Sequence, residues 1–171
     1  LHQDTSYLAN DRPRYTMLMG IEIPDGQGNT IFSSGFNAYE KLPAEIKNKI
    51  KDATGIFSSD GPISVTRLER EKEMGIKSSV SMEAEHPIVK TVNGKKTLYI
   101  SPGHLMKIKN VKEEDADYLK DYLIKHVNKN EFIFSYKWSK NDICLWDNLS
   151  ILHMASEIKN CKRVMHRITI K

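Results

Sequence analysis

His2 and Asp4 stand two residues apart at the start of the chain, and His153 and Arg163 stand ten apart near its end. In a β-strand, residues i and i+2 face the same side, so the first pair can reach one metal ion. A distant third histidine completes two imidazoles and one carboxylate on one side of that ion. Such a set leaves coordination positions open and suits non-haem Fe(II) in oxygen chemistry. Zinc can occupy the same donors, because affinity alone does not select iron. A lone His-x-Asp is more often a hydrogen-bonded surface pair; its weight here comes from the residues that follow it. Arg163 can fork onto the carboxylate of a small acid. Arg163 and Arg167 are separated by an even spacing, so on a strand they share a face with Met165, while Val164, His166 and Ile168 take the other.

Side chains this far apart in sequence must be brought together by the elements between them. Tyr15 to Ile23 is a nearly continuous apolar run closed by Pro24-Asp25-Gly26, which predicts a buried strand and a turn. A second short strand is expected at Thr30 to Phe32. Leu42-Pro43 opens a helix with Ile46 and Ile50 on its inner stripe. From about 58 to 85 the character changes: charge crowds at Arg67, Glu69, Arg70, Glu71, Lys72 and Glu73, and serines follow. This reads as an excursion from the sheet, either a solvated loop or a mobile lid. His86 to Val89 and Lys96 to Ser101 read as strands joined at Asn93-Gly94. Asn110-Val111-Lys112-Glu113 has the form of a capping box, opening a helix with Ala116, Leu119, Leu123 and Val127 on one face. Phe132, Phe134, Tyr136 and Trp138 alternate, which predicts a core face. Further strands are expected at Ile143 to Trp146 and Val164 to Ile170. Many short strands with few helices predict a mainly β sandwich or barrel.

A chain of 171 residues with 39% hydrophobic and 28% charged residues fits one globular domain. No apolar run approaches a membrane span. The net charge of +4 comes from scattered lysines rather than a basic arm, so neither nucleic acid nor membrane is expected as a partner. Cys144 and Cys161 read as reduced thiols of a cytoplasmic protein, unless their strands turn out to be neighbours. A metal ligand at a free chain end would fray, so a segment upstream of Leu1 is expected.

Several stretches, in order and over nearly the whole chain, resemble the taurine dioxygenase and 2,4-dichlorophenoxyacetate dioxygenase family. They are Leu1-His2-Gln3-Asp4-Thr5-Ser6-Tyr7, Gly28-Asn29-Thr30-Ile31-Phe32-Ser33-Ser34, Ala38-Tyr39-Glu40, His86-Pro87-Ile88-Val89 and Leu98-Tyr99-Ile100. Trp146-Asp147-Asn148, His153 and Arg163-Val164-Met165-His166-Arg167 complete the set. The resemblance implies a double-stranded β-helix, or jelly roll, forming a single catalytic domain that is incomplete at its N-terminus. It implies Fe(II) held by His2, Asp4 and His153, with 2-oxoglutarate and O2 as co-substrates. Arg163 and Thr30 would hold the far carboxylate of 2-oxoglutarate. Arg167 would hold an anionic group of the primary substrate, the bland alternative being a plain ion pair, and His104 would line the substrate pocket or else stand on a solvent-exposed loop. Trp146 is expected in the core, and Asp147-Asn148 as a turn before His153. One departure is that the loop between His153 and Arg163 is a residue shorter than in the taurine enzyme, within Glu157 to Asn160. The implied activity is hydroxylation of a small anionic compound such as a sulfonate, sulfate ester or carboxylate, with release of succinate and CO2. A non-catalytic jelly-roll binding protein and a zinc hydrolase are the alternatives; a homo-oligomer is compatible with all three.

Overall fold

The computed structural model describes residues 1–64, 72–75 and 80–171. Of the expected charged excursion at about 58 to 85, residues 65–71 and 76–79 lie outside the described residues. Within them, strands dominate. β1 (Tyr15–Glu22) is the centre of a sheet ordered β11-β1-β9, with β9 at Ile143–Asp147 and β11 at Val164–Ile170. β2 (Thr30–Ser34) is the centre of a second, ordered β10-β2-β8, with β8 at Ile133–Tyr136 and β10 at Ile151–Ala155. β3 (Thr54–Ser58) lies between β4 (Glu83–Pro87) and β7 (Leu105–Lys109). β5 (Val89–Val92) and β6 (Lys95–Leu98) form a hairpin. Every pairing is antiparallel, and each three-stranded sheet joins strands distant in sequence.

The helices are α1 (Gly35–Glu40), α2 (Ala44–Ile50) and α3 (Ala116–Val127). Ile46 and Ile50 of α2 are buried, as are Leu119, Leu123 and Val127 of α3. They meet Phe57, Leu98, Tyr99, Ile100 and Ile108 in one apolar core. This core backs the sheets and holds rigid the strands that carry the candidate site. No helix among the described residues is long and apolar enough to cross a membrane.

Four local expectations are corrected. The hairpin at Asn93-Gly94 forms, with both residues at positive φ as a tight primed turn requires, but its first strand is Val89–Val92. His86 belongs instead to β4, paired with β3. No capping box forms at Asn110: its side-chain amide donates to Thr54 Oγ, and a 3-10 turn at Glu113–Asp115 leads into α3. The aromatic alternation is not one core face. Phe132 ends a 3-10 turn and is buried, as is Trp138, but Phe134 on the sheet-edge strand β8 is 61% exposed. β1 is not buried along its length: only Thr16 and Gly20 are, because Ile143, Leu145, Ile168 and Ile170 of its neighbours face outward. Cys144 is half-buried, Cys161 is exposed, and both are free thiols.

Candidate metal centre

Strand pairing explains how opposite ends of the chain meet. His2 forms an isolated antiparallel bridge with His153, each backbone N–H donating to the other's carbonyl at 3.0 and 2.8 Å. Asp4 does not continue that strand; it opens a turn over residues 4 to 7. The shared-strand argument therefore does not describe the pair, although the two side chains still converge. Gln3, between them, is fully buried and donates its backbone N–H to Ser101 Oγ at 3.0 Å, which anchors the segment. On the facing sheet, His153 is the register partner of Phe32, and its ring lies 4.7 Å from that of Trp146.

His2 Nε2 and His153 Nε2 lie 3.7 and 3.5 Å from Asp4 Oδ1. One donor atom from each of the three residues lies within 4.8 Å of the others. Bonds of about 2 Å to a transition metal place adjacent donors about 3 Å apart, so a small side-chain adjustment closes the three around one ion. Neither contact is short enough for a good hydrogen bond. Three lone-pair donors thus face a common point without being tied to one another.

The electrostatics favour the ligating forms. Burial, then the neighbouring His153, push the His2 imidazole down to about 3 against the pull of Asp4, so it stays neutral with a free lone pair. Burial acts to raise the Asp4 carboxyl. The neighbouring His153, the Thr16 hydroxyl and the Arg167 guanidinium outweigh it and hold that carboxyl well below the usual carboxylate range. The donor set of two imidazoles and one carboxylate fits a divalent transition metal.

Beside this centre is a pocket of about 160 Å³ lined by His2, Thr30, His153, Arg163 and Arg167 among others. Thr30 Oγ accepts from Trp138 Nε1 at 2.9 Å and from Arg163 Nη2 at 3.4 Å. With both lone pairs engaged, its own proton is left to donate. Arg163 Nε is buried without a partner among the described residues. A hydroxyl proton beside a guanidinium makes a corner suited to a carboxylate. Gly28 makes room for it: at φ +75 it takes a left-handed backbone, and a Cβ there would lie 2.7 Å from Arg163 Cδ. The loop between His153 and Arg163 is tied down by Ser156 N–H to Asn29 O and Lys159 N–H to Gln27 Oε1, both at 2.8 Å. Those bonds hold the loop so that Arg163 reaches Thr30.

Arg167 pairs across β1 with Leu18, and its Nη1 lies 3.6 Å from Asp4 Oδ1 with the side chain half exposed. His104 is buried rather than on an exposed loop. Its Nδ1 meets Ser6 Oγ at 2.8 Å and Ser101 Oγ at 3.2 Å, and its ring is 5.8 Å from that of His2 and 5.1 Å from that of Tyr7. It does not line the Arg163 pocket. A larger cavity, about 580 Å³, lies on the far side of Trp146 against Phe134, Cys144 and Leu145, and contains none of the predicted site residues. Thr16 and Asn148 are close to the centre and escaped the sequence reading. Thr16 was visible only as a polar residue inside an apolar run, and Asn148 read as part of a turn.

Fold and site together define a jelly-roll protein with a candidate centre of two histidines and one carboxylate. The model of the taurine catabolism dioxygenase TauD, TfdA family matches residues 1–169, and the chain belongs to that family. It is 30% identical over 180 residues to the alkylsulfatase of Acinetobacter baylyi, covering 99% of this chain and 55% of that protein. It is 27% identical over 157 residues to the alpha-ketoglutarate-dependent sulfonate dioxygenase of Saccharomyces cerevisiae, covering 90% of this chain and 37% of that one. The crystal structure of AAD-2 in complex with Mn(II) and N-oxalylglycine superposes with a TM-score of 0.81 at 26% identity, covering 99% of this chain and 67% of that one. The chain spans about half the length of the curated relatives it matches.

Proposed function

We propose that this chain carries the reaction centre of an Fe(II)- and 2-oxoglutarate-dependent dioxygenase that hydroxylates a small anionic organic compound. The observation that carries this reading is the convergence of His2, Asp4 and His153 within 4.8 Å, beside a corner built from Arg163 and Thr30. When bound, Fe(II) supplies the activation of O2 that ordinary side chains cannot provide. One oxygen atom enters succinate as 2-oxoglutarate loses CO2, and the other enters the substrate as a hydroxyl.

The chain's own residues bind and orient. The Arg163 guanidinium and the Thr30 hydroxyl proton grip the far carboxylate of 2-oxoglutarate, so that its oxo-acid end points toward the two imidazoles. Trp138 fixes the direction of the Thr30 proton by occupying a lone pair of its oxygen. Arg167, half exposed at the mouth, offers a cation to a sulfonate, sulfate ester or carboxylate of the primary substrate. Names of two relatives, an alkylsulfatase and a sulfonate dioxygenase, support that substrate class. N-oxalylglycine, present in the AAD-2 complex, is an isostere of 2-oxoglutarate and supports the co-substrate. Hydroxylation at a carbon bearing a sulfonate or ester oxygen gives a product that collapses to a carbonyl compound.

Anaerobic addition of Fe(II) and 2-oxoglutarate is expected to produce the weak visible charge-transfer band of a 2-oxo-acid chelate. An oxygen-consumption screen across sulfonates, alkyl sulfates and aryloxy acids then identifies the substrate. His153→Ala should abolish both the band and substrate-dependent succinate; undiminished succinate would remove His153 from the centre.

A further inference from the structure

A line of three donors stands behind Asp4. Trp146 Nε1 donates to Asn148 Oδ1 at 3.2 Å, Asn148 Nδ2 donates to Thr16 Oγ at 2.7 Å, and Thr16 Oγ donates to Asp4 Oδ2 at 2.6 Å. An indole nitrogen can only donate, so it turns the oxygen of the Asn148 amide toward Trp146 and the nitrogen toward Thr16. The Thr16 oxygen is then an acceptor from Asn148, and its own proton is left for Asp4. The line has one possible direction. It is also dry: Thr16, Asn148 and Trp146 are 0, 2 and 6% exposed. Backbone contacts hold its middle member, with Asn148 N–H donating to Arg14 O at 2.8 Å and Asn148 Nδ2 reaching Pro13 O at 3.4 Å. Register brings the ends together, because Thr16 on β1 sits opposite Trp146 on β9.

We infer that Thr16 and Asn148 are positioning residues that present Asp4 to the metal through a single oxygen. Oδ2 is tied by the Thr16 proton, and Oδ1 is turned toward the Nε2 atoms of His2 and His153. The inference rests on the metal-centre reading above. A carboxylate held in this way cannot swing to bind through both oxygens, so more of the ion's positions are kept for other ligands. Trp146 serves both halves of the centre: its N–H begins the line to Asp4 and its ring packs on His153.

The test is titration of the full chain with Mn(II) alone, followed by the electron-spin signal of the free ion, with a thermal melt of each metal-free variant. Thr16→Val keeps the shape and removes the hydroxyl; its affinity for Mn(II) should fall about 10- to 100-fold. Thr16→Ser restores the donor and should stay near the parent. Asn148→Leu leaves Thr16 without its fixing donor and should weaken binding by less than Thr16→Val. Parent-like affinity in both Thr16→Val and Asn148→Leu overturns the inference. Equal weakening in Thr16→Val and Thr16→Ser overturns it too, since the effect is then packing. A parent chain that binds no Mn(II) overturns the metal centre itself, which separates the two failures.

Discussion

The residue that does most with least is Gly28. Its left-handed backbone, φ +75, lets the chain pass against the Arg163 stem where any side chain would strike Cδ. Gly28→Ala is therefore expected to displace Arg163 from Thr30. Loss of one charge-assisted hydrogen bond is about 1.5–3 kcal/mol, so KM for 2-oxoglutarate should rise about 10- to 100-fold. The check is steady-state kinetics with 2-oxoglutarate varied, alongside Mn(II) affinity, which should hold because the three donors are untouched. At the same scale, the three donor residues were visible in the sequence because two histidines and an aspartate are chemically distinctive. Thr16 was not, since a threonine within an apolar strand has no signal of its own until its partner across the sheet is known.

At the scale of elements, α3 is the support on which much of the core rests. Leu119, Leu123 and Val127 recur along one face and are fully buried, so the periodicity read correctly. Leu123→Ala should cost about 2–5 kcal/mol, the range for a large buried aliphatic replaced without collapse of the cavity. Urea unfolding gives the value directly; a loss well below 1 kcal/mol would mean that the helix face repacks. Elsewhere, local reading failed where tertiary contacts compete. Asn110 has the sequence of a cap, but its amide is taken by Thr54, and its backbone sits at φ +59. Phe134 alternates with buried aromatics yet lies on an edge strand, where one residue of slip decides which face meets solvent.

For the molecule as a whole, buried neutral histidines make stability depend on pH. His86 is 5% exposed; its Nε2 donates to Leu8 O at 3.0 Å and the Arg12 guanidinium contacts its ring. Burial, then Lys90 and Arg12, push it down to about 4 from an ordinary 6.5. Burial also lowers His126, whose Nε2 donates to Ala38 O at 2.8 Å. Both histidines take up a proton more readily when unfolded. The unfolded chain thus binds more protons in the window between 6.5 and about 4, and stability falls as pH falls through it. Above that window both states are neutral and the contribution is complete. Urea melts from pH 7.5 down to pH 4.5 should show this decline, and His86→Gln should flatten it; an unchanged slope would assign the decline to other groups.

The features behind the proposed chemistry were largely written in the sequence: the donor types, the two arginines and the order of the family's motifs are all local text. Strand and helix positions were legible wherever apolar periodicity was strong, as in β1, β11, α2 and α3. What only the tertiary structure decided is which side chains share a point in space. Antiparallel pairing of β1 with β9 and β11 sets Thr16 opposite Trp146 and Leu18 opposite Arg167. The bridge between His2 and His153 closes a separation of 151 residues. Register between strands distant in sequence is fixed by the summed packing of both sheets, a long-range quantity that no local window contains.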